Sequence, residues 1–171
     1  MLRVHVYLVH GAGRSAVVMP RKISSGDSVL VVAAVIVRDG RVLACQRNRS
    51  GKFPLKWEFP GGKVQNGESP EAALIRELRE ELSVDATVGA EIYRTRHKYP
   101  EMPSAVELIF FTATIESGQI DSRIFEATAW AAPQKLPEMD FLDADRELIS
   151  KLATGDIPIS RVTDAKRRAS P

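Results

Sequence analysis

Cysteine is nearly absent from this chain: Cys45 is the one thiol in 171 residues. No internal disulfide can form, and a reducing, cytoplasmic setting is expected, with Cys45 an inert thiol inside an apolar strand pattern. Long apolar runs are missing as well. The longest, residues 29–37, is far too short to span a bilayer and reads as a buried strand. A single Arg before a short apolar stretch near the start makes a poor signal peptide. Neither sign of charge dominates, with 24 Lys and Arg against 22 Asp and Glu. The basic residues are spread out except for KRR at 166–168, so electrostatics give no case for binding long nucleic acids. Two catalytic signatures are also lacking. No G-x-S-x-G elbow accompanies HGAGRS at 10–15, so no nucleophilic serine is indicated. SGK at 50–52 lacks the first glycine of a phosphate loop.

What is present is ordinary for a folded domain: 44% apolar and 27% charged residues in a chain long enough to bury roughly 70% of its unfolded surface. Residues 1–27 read as a loosely attached extension, Met19 being an equally good start. Residues 28–153 form the domain, and 154–171 a polar, basic, frayed tail. Within the domain, runs 29–37 and 42–47 are β-rich and joined by Asp39-Gly40, a hairpin signal. Further strands are expected after Val84, at 106–115 and at 124–130. A short turn or helix is expected at 133–137, and helical spacing appears at 143–152. Helices before the middle strands and at the end imply an α/β fold with helices on both faces of a mixed sheet.

The organising stretch is residues 57–84, WEFPGGKVQNGESPEAALIRELREELSV. Ser69 suits an N-cap and Pro70 the first helical position. Leu74, Ile75, Leu78 and Leu82 make an apolar stripe, and Glu77, Glu80 and Glu81 make a second stripe beside it. Like charges at i,i+4 cost roughly 0.2 to 0.5 kcal/mol per pair, yet Glu77 faces Glu81. One reading is a solvated acidic face relieved by Arg76 and Arg79. The other is a hard-cation site for Mg²⁺ or Mn²⁺, which removes the repulsion. A turn at Pro60, Gly61 and Gly62, whose backbone can approach a ligand closely, favours the second.

These residues, Gly62, Glu68, Arg76, Glu77, Leu78, Glu80, Glu81 and Val84 at their spacings, resemble the signature box of the Nudix hydrolases. Such charged and glycine matches at fixed spacing would arise by chance on the order of once in 10⁵ chains of this length. Ser83 departs from the family, which has glycine there. The resemblance covers roughly residues 28–153. It implies a Nudix-type α/β/α sandwich and Mg²⁺-dependent hydrolysis of a nucleoside diphosphate linked to another group. By position, Glu80, Glu81 and the Gly62 carbonyl would bind metal, and Glu77 would bind metal or act as the base. Arg76 and Glu68 would hold the box together. Glu126 is the candidate for a further metal ligand, with a plain solvated strand-end Glu as the alternative.

W-E-F-P-G-G-K at 57–63 is similar to the MutT-type members, which cleave nucleoside triphosphates to monophosphate and pyrophosphate, often removing modified nucleotides. In that comparison Arg47 and Lys63 lie near the phosphates. Asp145 meets the base edge or is a helix-start charge, and Phe59 lines the base pocket or belongs to the core. Dinucleoside polyphosphates, nucleotide sugars and cytidine nucleotides are the rival substrates. A binding module that has lost turnover would usually have lost box carboxylates, and all three are present here.

Overall fold

The computed structural model describes residues 28–121 and 124–159. The expected N-terminal extension, with HGAGRS, and KRR all lie outside this range. β1 (Ser28–Arg38) and β2 (Arg41–Arg47) form the hairpin. Its turn has both central residues at positive φ, Asp39 at 50° and Gly40 at 69°. That twist matches the flanking strands, which is why Asp-Gly is favoured there. β3 (Trp57–Glu58), β4 (Gly61–Lys63), α1 (Pro70–Leu82), β5 (Asp85–His97), β6 (Ala105–Ser117) and β7 (Phe125–Ala131) follow. Two 3₁₀ turns, Pro133–Glu138 and Asp143–Asp145, lead into α2 (Arg146–Thr154).

The sheet order is β3-β2-β1-β6-β5, with β4 on β1 and β7 on β2. β1 and β6 run parallel, and the other strand pairs are antiparallel. Alternation along β1 divides the core in two. Val32, Ala34 and Ile36 pack with Leu74, Leu78 and Leu82 of α1. Ala33 and Val35 pack in a second cluster with Leu148, Ile149 and Leu152 of α2. Each of the Val, Leu and Ile side chains contributes about 1.5 to 3 kcal/mol when fully buried. The result is the expected mixed sheet between helices. No helix among the described residues is long and apolar enough to cross a membrane.

One edge of β1 is shared. Its first half pairs with β4 (Val32↔Gly62) and its end with β2 (Val37↔Val42). Residues 57–63 therefore cross from the edge of β2 to the edge of β1, and the sheet opens between them. Here the structure differs from the turn expected at 60–62. Gly61 and Gly62 lie in a short strand because 31–33 supplies pairing partners, which a local reading of Pro and Gly does not reveal. Gly61, at φ 149°, lies so close to β1 that a Cβ would stand 2.1 Å from the Val32 carbonyl oxygen.

The helix ends follow their residues. Ser69 Oγ accepts from the Ala72 N–H at 3.1 Å. Ser83 itself adopts the left-handed conformation, φ 58° and ψ 34°, and its N–H donates to the Arg79 carbonyl. The cap that glycine would favour is formed without shifting. Beyond α2, Ile157 and Ile159 are partly buried against the core.

Candidate active site

Arg76 organises the outer part of the site. Its guanidinium donates to Glu68 through Nη2 at 2.8 Å and Nε at 3.3 Å, to Glu77 at 2.8 Å and to Glu80 at 3.3 Å. It also reaches the Lys63 carbonyl at 3.1 Å. These partners lie one and four residues away on the same helix, or in the connection just before it, so one turn of α1 suffices to assemble them. Arg76 beside it holds the Glu68 carboxyl below the usual range, and the carboxylates raise the Arg76 pKa in return. Glu77 stands against Gly62: a Cβ on that glycine would be 2.4 Å from the Glu77 carboxyl carbon.

Glu81 turns inward. It accepts from the Gly61 N–H at 3.0 Å. Burial pushes it up to about 8 against that hydrogen bond, and the nearby Glu58 and Glu77 add to the rise.

Behind it lies a cleft of about 370 Å³, opened where the sheet divides. Arg47, Glu58, Phe59, Gly62, Lys63 and Asp145 all line it. Glu58 is bonded to Arg47 at 2.5 Å, and burial nonetheless raises its pKa. Trp57 exchanges backbone hydrogen bonds of 2.9 Å with Asp140 and Leu142, which brings the start of α2 to β3. Asp145 is thereby 3% exposed and accepts from the Phe59 N–H. Burial and the charge of Glu58 raise it well above the usual carboxylate value, against the Phe59 N–H and Arg47. Its Oδ2 has no partner among the described residues. It makes no side-chain cap to α2.

The opposite wall is aromatic. Phe53 and Tyr99 pack with their rings tilted at 44° and centroids 4.7 Å apart, and Tyr99 Oη accepts from the Ala144 N–H at 3.2 Å. Phe53 has φ 52°, an uncommon backbone for a bulky residue. A larger hollow of about 590 Å³ lies between the first 3₁₀ turn and α2, but no residue of α1 or β4 lines it.

Arg47, Phe59, Gly62, Lys63 and Asp145 thus meet at one cleft with α1 alongside. Phe59 is both lining and core, 3% exposed and packed on Phe110 and Phe141. Glu126 is not among the cleft's lining residues; its carboxylate is bonded to Arg49 at 2.9 Å near the surface. Sequence reasoning missed Glu58, Phe53 and Tyr99. For Glu58 a signal existed, an acid flanked by two aromatics in a strand. For the others the sequence carries none, because their neighbours come from distant segments.

A mixed sheet between helices, with clustered carboxylates beside a nucleotide-sized cleft, defines an α/β/α hydrolase of the kind that acts on acid anhydrides. The NUDIX domain model matches residues 27–152, and this chain belongs to the Nudix hydrolase family. It is 36% identical over 141 residues to the CTP pyrophosphohydrolase of Escherichia coli (strain K12), covering 82% of this chain and 95% of that protein. It is 34% identical over 131 residues to the putative 8-oxo-dGTP diphosphatase 2 of Mycobacterium tuberculosis (strain CDC 1551 / Oshkosh), covering 72% and 87%. The solution structure of the E. coli ORF135 protein superimposes with a TM-score of 0.67 at 30% identity, covering 80% of this chain and 96% of that one.

Proposed function

We propose that this enzyme hydrolyses a nucleoside triphosphate to the monophosphate and pyrophosphate, with Mg²⁺ as the cation, in the nucleotide pool of a reducing, cytoplasmic compartment. The observation that carries the reading is that Glu77 and Glu81 sit against Gly62 and Gly61, and both glycines line a cleft that Arg47, Lys63 and the buried Asp145 also line. The names of the relatives, which include both a CTP pyrophosphohydrolase and 8-oxo-dGTP diphosphatases, support a triphosphate as substrate.

The donor set fits a hard cation. Glu77, Glu80 and Glu81 are oxygen donors on one helix face, and the glycine at 62 leaves the space that the Glu77 carboxylate occupies. Among the described residues no three acidic, histidine or cysteine side chains already converge as a ligand set; Arg76 draws Glu77 and Glu80 to itself, and the Gly61 N–H holds Glu81. Arg76, anchored on Glu68 and the Lys63 carbonyl, engages one oxygen of each of Glu77 and Glu80 and leaves the other for the cation. Glu77, Glu80, Glu81 and the Gly62 carbonyl would hold it. When bound, the cation neutralises phosphate charge and lowers the pKa of attacking water. Glu77 is either a ligand or the base that takes the water proton. Arg47 and Lys63 orient the phosphates, and Asp145 with the aromatic wall receives the base.

The test is pyrophosphate release from a panel of ordinary and modified nucleoside triphosphates, with and without Mg²⁺. Dinucleotide and sugar-nucleotide controls run alongside. Mg²⁺-dependent pyrophosphate from triphosphates is expected. Turnover confined to the controls would retain the family chemistry and overturn this substrate class.

A further inference from the structure

Glu58 is a carboxylate in a place where stability alone would not put one. Its side chain is 17% exposed, and it adds unfavourable charge to both Glu81 and Asp145. A buried ion pair is often no more stable than an apolar pair of the same shape, so its stabilising effect is a weak reason for the acid.

The geometry around its partner supplies a stronger one. Arg47 ends β2 where the register with β7 shifts. Its backbone is tied to the following loop twice, Arg47 N–H to the Lys56 carbonyl at 2.9 Å and Leu55 N–H to the Arg47 carbonyl at 3.2 Å. Its Nε donates to the Lys52 carbonyl at 2.8 Å, and Nη1 donates to Glu58 at 2.5 Å. Two points of a planar fork are thus fixed, from two different segments, and a planar group fixed at two points has one orientation left. Nη2 keeps no hydrogen-bond partner among the described residues, while the side chain lines the cleft.

We propose that Glu58 is a positioning residue: by holding Nη1 of Arg47 it directs the remaining guanidinium N–H groups at the polyphosphate in the cleft. The inference rests on the triphosphate reading above. Without Glu58 the fork hinges on Nε alone, and ordering it falls to the substrate, so the loss appears in binding rather than in the chemical step.

The experiment is a double-mutant cycle on Glu58→Gln and Arg47→Ala, with Glu58→Asp as a second variant that keeps the charge. Dissociation constants for the α,β-methylene analogue of CTP are measured by calorimetry with Mg²⁺, beside KM and kcat for CTP and a melting curve for each variant. Glu58→Gln is expected to weaken binding and raise KM by about tenfold, with kcat changed less than about twofold. Glu58→Asp should recover part of the loss, and the double variant should bind no worse than Arg47→Ala. Unchanged binding in Glu58→Gln overturns the proposal, as do additive losses in the double variant or a fall in kcat alone. If the wild type binds the analogue but releases no pyrophosphate from any triphosphate, the assigned reaction fails, and the binding cycle still decides the role of Glu58. If the wild type binds no analogue, both fail.

Discussion

Glu77 and Glu80 share one guanidinium, that of Arg76, whereas Asp145 keeps a carboxylate oxygen with no partner among the described residues. The contrast extends to exposure. Glu80 is 60% exposed and Asp145 only 3%. Glu77 and Glu80 are assembled within one helix and held by the charge of Arg76, while Glu81 of the same helix turns inward to the Gly61 N–H. The acids of the cleft floor come from β3 and the start of α2: Glu58 is buried with Arg47 as its partner, and Asp145 is buried with one oxygen unpartnered among the described residues. An exposed acid such as Glu80 changes partners at little cost, because exposed ion pairs are worth roughly 0 to 1 kcal/mol. A buried oxygen without a partner has a desolvation penalty that a ligand's donor can relieve. The first arrangement suits metal loading, the second suits selection of a base.

The largest effect expected of this division is on Glu80→Gln. Turnover should fall by about 10³-fold or more while the melting temperature stays put, since the residue is exposed. A steady-state assay and a thermal melt check it, and retained turnover would remove Glu80 from the metal set.

Arg76→Ala should come next. Releasing Glu68, Glu77 and Glu80 from one anchor is expected to weaken Mg²⁺ or Mn²⁺ affinity about 10- to 100-fold, with activity recovered at high metal. Mn²⁺ titration followed by electron paramagnetic resonance reads this directly. Unchanged affinity would mean that the guanidinium only shields the acids.

A third effect is read by pH. Asp145 titrates above its ordinary 3.8 in the folded chain, so above that pH the folded state binds more protons than the unfolded one. Its contribution to stability is then greatest at low pH and is lost as pH rises from about 4. Burial raises Glu58 and Glu81 as well, with the same sign. Asp145→Asn should flatten the slope without abolishing it, as judged by urea unfolding of the metal-free protein between pH 4 and 7. A slope as steep as in the wild type would contradict the buried, unpaired geometry.

The smallest effect is expected at Glu126→Gln, within about twofold of wild-type turnover, because Arg49 holds that carboxylate away from the cleft lining. A large loss would instead restore Glu126 as a metal ligand.

The same division decided what could be read from the chain. Ser69, Pro70 and the acid stripe act through neighbours one to four residues away, so the helix and its face were legible from spacing alone. So was the Asp39-Gly40 hairpin. β4 was not, because three residues become a strand only when 31–33 lies beside them. Glu58 escaped notice for a similar reason: its partner Arg47 precedes the loop, and Asp145 arrives from the far end of the domain. For Asp145 the sequence leaves two alternatives open, and its burial comes from segments distant in the chain.

The most direct measurement is kcat/KM for CTP and 8-oxo-dGTP in the wild type, Glu80→Gln and Asp145→Asn. The account predicts that Glu80→Gln depresses both substrates alike, leaving their ratio intact, while Asp145→Asn shifts the ratio by about tenfold. A ratio moved by Glu80→Gln, or a uniform fall with Asp145→Asn, would contradict the separation of metal chemistry from base selection.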